Sequence, residues 1–127
     1  MGPSESINRA LNAFFNSFGI PGYLEDNIPP GAELPYLTYK PTIPGGWNKS
    51  TSFHARLWYS SKGGRAPILQ IEDTISAVLP RGGLTIQCEG GAILLDKDDK
   101  DWAQPLNNPP EGYLCEYLIF ELTRLIP

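Results

Sequence analysis

The sequence predicts an α+β domain: a mostly antiparallel β-sheet with two helices packed on one face and long Pro/Gly loops between the elements. Three observations carry that expectation. Two segments place apolar residues at helical period, and several others alternate or run apolar at strand length between turn residues. The chain has 127 residues, 41% of them hydrophobic, which suits one domain over 1–127 with a core of its own.

The first helix is expected over residues 4–18. Ile7, Leu11, Phe14, Phe15 and Phe18 fall on one face, Ser4 or Ser6 stands where a cap belongs, and Gly19 supplies a left-handed stop. That stripe packs on the domain's own sheet, or part of it, Phe14 and Phe18, on a neighbouring subunit. From Gly19 to Gly31 prolines and glycines argue against regular structure. Leu34–Tyr39 reads as a strand entered through Pro35. A loop over 41–49 follows, carrying Ile43 and Trp47. Ser50–Tyr59 is the clearest strand, with Phe53, Ala55, Leu57 and Tyr59 on one face and Ser52, His54, Arg56 and Trp58 on the other. A second helix spans 66–79: Pro67 suits its first turn, Ile68, Ile71, Ile75, Val78 and Leu79 form its stripe, and Pro80 ends it. Leu84–Cys88 and Ala92–Leu95 form a hairpin across Glu89-Gly90-Gly91. A charged run over 96–101 and an extended loop over 102–110 lead to one long final strand, 112–125, whose apolar pattern Glu116 and Glu121 interrupt.

Composition removes several function classes. A net charge of −4, with the ten Lys and Arg scattered, gives no basic stripe to neutralise phosphates. No apolar run approaches the roughly 20 residues of a membrane-spanning helix, and no apolar segment near the N-terminus resembles a signal peptide, so residence in a reducing cytoplasm is expected. Cys88 and Cys115 are expected as buried free thiols behaving as small hydrophobes; a disulfide between them lacks a secretory context. With one histidine they do not make a zinc site.

No catalytic, cofactor or metal site is expected. A Ser-His-Asp set assembled from His54 with Ser52 or Ser60 has no nucleophile-elbow spacing behind it. Asp96, Asp98, Asp99 and Asp101 suggest a calcium loop, but Lys97 and Lys100 intrude and neither the central glycine nor the closing glutamate is present. Gly63-Gly64-Arg65 precedes a helix without a phosphate loop's lysine and serine. What is left is constructional: long loops carrying Trp47 and Trp102, a strand carrying Trp58, and a long terminal strand. Large aromatics of this kind suit burial against a partner.

The order of short motifs resembles a known family. Leu34-Pro35-Tyr36-Leu37-Thr38-Tyr39 follows the opening helix. Trp58-Tyr59-Ser60 precedes a helix containing Ile71-Glu72-Asp73-Thr74-Ile75 and closing at Leu79-Pro80, then Gly82-Gly83. Gly90-Gly91-Ala92-Ile93 precedes Trp102-Ala103-Gln104-Pro105-Leu106 and a final 113–122 strand. This succession, over nearly the whole chain, is similar to that of small tail-terminator (tail completion or minor tail) proteins of long-tailed bacteriophages and prophages. The resemblance implies a virion protein of the phage neck, made in the host cytoplasm. It implies a hexameric ring that caps the tail tube, ends its elongation and joins it to the head connector, with DNA passing the lumen unbound. It brings no catalytic residues and no cofactor.

Ring closure needs two unlike faces on each subunit. Trp47, Trp58 and Trp102 are the expected anchors, Phe14 and Phe18 lesser ones, and Asp96, Asp98, Asp99 and Asp101 the expected lumen- or ring-facing loop. A head–tail connector or minor capsid protein of the neck is the nearest rival. A small ligand-binding domain or hydrolase is the remote one.

Overall fold

The computed structural model describes residues 2–40, 42–98 and 100–125. The elements run α1 (Pro3–Phe15), β1 (Gly22–Leu24), β2 (Tyr36–Tyr39), β3 (Ser50–Ser60), α2 (Ala66–Val78), β4 (Leu84–Cys88), β5 (Gly91–Lys97), β6 (Ala103–Pro105) and β7 (Tyr113–Leu125).

Alternation along β3 and β7 builds the centre. The two strands pair antiparallel from Ser50↔Thr123 to Ser60↔Tyr113, so Phe53, Ala55 and Leu57 lie on the same face as Phe120, Leu118 and Glu116. β2 adds Leu37 and Tyr39 to that face, and β5 adds Ile93 and Leu95. The seven strands are ordered β1-β2-β3-β7-β5-β4, with β6 also paired to β7. β5 and β6 pair along the same side of β7, β5 with Phe120–Leu125 and β6 with Glu116–Leu118.

The α+β reading stands, but the sheet is mixed. β1 pairs parallel to β2, from Gly22↔Leu37 to Leu24↔Tyr39, inside the segment whose prolines and glycines argued against regular structure. Glycine makes the pairing feasible: a Cβ on Gly22 would lie 2.7 Å from the Phe15 carbonyl oxygen, so the strand approaches the end of α1 more closely than any larger residue permits. β6 likewise forms within the expected 102–110 loop, because Ala103 and Gln104 reach the ladder of β7.

Both helices serve one core. Ile7, Leu11, Phe14 and Phe15 from α1, and Ile68, Ile75 and Leu79 from the α2 segment, join the sheet's apolar face in a single buried cluster. Full burial of each such side chain is worth about 1.5–3 kcal/mol. The ring of Phe15 stacks on Tyr39 at 4.6 Å and meets Phe53 and Phe120 edge-on.

α1 stops a turn earlier than its apolar stripe implies. Asn16 donates through Nδ2 to the Asn12 and Gly22 carbonyls and accepts the Gly22 N–H on Oδ1, competing with helical continuation. Gly19, with φ +84°, turns the chain beyond that point. Neither serine caps the start; Gly2 does, and the Ser6 hydroxyl instead accepts the Glu89 N–H across the molecule. Cys88 and Cys115 are free thiols. Cys115 is buried as expected, which pushes its thiol up to about 12, whereas Cys88 is only half-buried. No described helix is long and apolar enough to cross a membrane.

Candidate assembly surfaces and a buried acidic pair

The second face of the sheet carries no helix, and the alternation of β2, β3 and β7 decides what lies on it. Thr38, Arg56 and Tyr117 stand in one row, and Tyr36, Trp58 and Cys115 in the next. The Trp58 indole N–H donates to Thr38 Oγ1 at 3.0 Å, and Tyr113 meets the indole edge-on at 6.3 Å. Arg56 contacts Glu25 at 3.0 Å, donates to the Tyr117 hydroxyl at 3.2 Å and lies 5.1 Å from that ring's centre. Both charges of the Arg56–Glu25 pair are about a third exposed, so solvent screening leaves it worth about 1 kcal/mol or less. Beside them a polar cavity of about 310 Å³ is lined by Glu25, Thr38, Lys40, Thr42, Ser52, Phe53, His54 and Arg56.

The expected anchors occupy different surroundings. Trp47 keeps 37% of its surface exposed. One side of its ring takes the Arg124 guanidinium at 4.3 Å, and its edge rests on the Gly90-Gly91 turn, where a Cβ on Gly91 would come within 2.8 Å of the ring. Trp58 is half-buried, held by Thr38. Trp102 leans inward rather than outward: it packs on the core, edge-on to Phe120 at 5.1 Å, with the Lys97 ammonium 5.8 Å from its ring. Phe14 corrects the sequence-based expectation most clearly. It is only 8% exposed and contacts Phe15, Phe18 and Phe120, so it belongs to this chain's own core. Phe18, beyond the end of α1, is half-buried against that core. The three tryptophans do not form one patch.

In the acidic segment, Asp98 makes the described hydrogen bonds. Its backbone N–H donates to the Ile119 carbonyl, and its Oδ1 accepts the N–H groups of Lys100 and Asp101. Asp96 belongs to β5, half-buried, and Asp101 is exposed. Asp99 lies outside the described residues. No group of three or more His, Cys, Asp or Glu suited to a metal ion occurs among the described residues.

Sequence reasoning missed the most unusual grouping, under α2. Glu116 interrupts the apolar pattern of β7, yet it is on the core face and fully buried, opposite Leu57. Arg65, just ahead of α2, donates from Nε to Glu116 Oε1 at 2.7 Å while its own side chain stays half exposed. In the second turn of α2, Glu72 is 7% exposed and interacts with the same carboxyl. Burial first, then the neighbouring Glu116 carboxylate, push Glu72 up to about 7, with Arg65 pulling the other way. Glu72 Oε1 and Glu116 Oε2 are buried with no donor on either. Tyr59 stands alongside and is raised by its own burial and by Glu116. The available signal was Glu116 itself, a charge in a strand predicted to be buried.

No protein-family model matches this sequence, and no curated protein matches it. The fold itself has precedent: a solved structure whose designation states no function superposes with a TM-score of 0.66 over 98% of this chain and 94% of that one. At 13% sequence identity that likeness is one of fold.

Proposed function

We propose that this chain is a structural subunit of a phage neck, a tail-terminator-type protein that joins copy to copy in a ring, caps the tail tube and meets the head connector. The order of motifs along the chain suggests the role. One structural observation supports it: the sheet ends on two unlike edges, β1 and β4, at opposite ends of its strand order. A head-to-tail ring needs two different surfaces on each subunit, facing apart. Between those edges the helix-free face presents Tyr36, Trp58 and Tyr117 half-buried, and Trp47 and Tyr113 stand exposed. Aromatic side chains of this kind supply large contact area at low entropic cost. An acidic chain suits a lumen that DNA crosses without being gripped. In this reading the protein is not an enzyme and binds no cofactor.

The test is mass measurement by light scattering, alone and with tail tubes added, followed by imaging of particles. Rings near six subunits, or rings forming only on tube ends, are the expected result. Location on the other side of the connector would instead make the chain a head–tail connector or minor capsid protein. The polar cavity beside His54 and Arg56 is the one observation favouring a ligand-binding or hydrolytic domain. A chain that stays monomeric with tubes present and binds or turns over a small molecule overturns the ring.

A further inference from the structure

We propose that Glu72 and Glu116 hold one proton between them, and that this shared proton is a pH-sensitive latch fastening the first turns of α2 to the sheet. The geometry carries it. Glu116 of β7 is fully buried and Glu72 of α2 is 7% exposed, one oxygen of each has no donor, and the Glu72 carboxyl lies within hydrogen-bonding reach of Glu116. Two carboxylates offer only acceptors, so they satisfy each other only by keeping a proton. Without it, two negative charges are buried beside a single half-exposed guanidinium, whose Nε is already on Glu116 Oε1.

The groups around the pair are few. Glu116 comes from β7, Tyr59 from β3, Arg65 from the residue ahead of α2 and Asp73 from α2 itself. Lys97 of β5 reaches α2 one turn later, where its ammonium donates to Ser76 Oγ at 2.8 Å. Arg65 neutralises one carboxylate, and the proton neutralises the other.

The direction of the pH dependence follows from linkage. The native state keeps a proton that the unfolded chain releases around its ordinary value of 4.5. The latch is therefore complete below that pH and is lost as pH rises through about 7. Across that window the unfolding equilibrium constant rises by at most about tenfold per pH unit. This is opposite to the behaviour of an ordinary salt-bridged carboxylate.

Carboxyl-carbon NMR of the glutamate-labelled protein tests it directly, with denaturant unfolding from pH 5 to 8.5 beside it. The expected result is one buried carboxyl of the pair titrating in the neutral range, and wild-type stability falling across it. Glu72→Gln keeps a donor toward Glu116 without a titrating proton, so its stability should be flat over the same range. Asp73→Asn, on the exposed side of α2, should retain the wild-type slope. A pair whose carboxyls both titrate in the ordinary range near 4.5 overturns the latch, as does a Glu72→Gln slope equal to wild type. The NMR titration uses the unmodified chain, so it decides the matter even if Glu72→Gln fails to fold.

Discussion

The two helices have the same length, 13 residues each, and rest on the same face of the sheet, but they are held there by different physics. α1 lies on an aromatic bed. Phe14 and Phe15 meet Phe120, Tyr39 and Phe53, and the polar contacts sit at the margins, with Asn12 donating to the Tyr39 hydroxyl at 2.9 Å and Ser6 accepting from Glu89. α2 lies on Ile68, Ile75 and Leu79 together with an ionic group built from Arg65, Glu72 and Glu116. Apolar burial has no direct pH dependence, whereas a buried carboxyl pair ties stability to proton concentration. One face of one sheet can therefore hold a helix that is indifferent to pH beside one that responds to it.

The largest test of this contrast is Phe15→Ala. It removes a fully buried ring and should cost about 3–5 kcal/mol in chemical denaturation, by the same amount at pH 6 and pH 8. Ile75→Ala empties a comparable position under α2 and should cost about 2–5 kcal/mol. Because it leaves the carboxyl pair in place, its stability should still decline with rising pH, parallel to wild type. Flat behaviour there would mean that the pair depends on the packing beneath it. The smallest effect belongs to Ser6→Ala, which removes the acceptor tying α1 to the β4–β5 turn. Its partner amide is exposed to water, so a loss of about 0.5–1 kcal/mol, independent of pH, is expected. Faster amide exchange at Glu89 alone would locate that loss.

Much of the fold was legible in the residues because local periodicity and the final packing agree. The β3 alternation and the helical stripes predict most of the buried side chains, and Phe53, Leu57, Leu11, Phe15 and Ile75 are buried, but Val78 of the α2 stripe is 41% exposed and Ile71 only half-buried, because Glu72 takes a place on the face that packs inward. Two short strands were not legible. Gly22–Leu24 and Ala103–Pro105 have little strand character of their own and pair only because β2 and β7 present ladders to them. The expected contact residues divided for a related reason. Trp102 looks like a surface anchor when read along the chain, and the helical stripe leaves Phe14 open to the core or to a neighbour, but folding brings Phe120 to both, and its ring takes up their apolar surface.

By itself the sequence determined the class of fold, the two amphipathic helices, the two long strands and the lack of a basic stripe, since each follows from neighbours along the chain. Tertiary structure alone decided the parallel edge strand, the inward turn of Trp102, and the meeting of Glu72 with Glu116. Those two glutamates are 44 positions apart in sequence, counted from 72 to 116. A proton is shared only between carboxyls in hydrogen-bonding reach, and residues so distant in sequence come into reach only once the sheet and α2 have closed on each other.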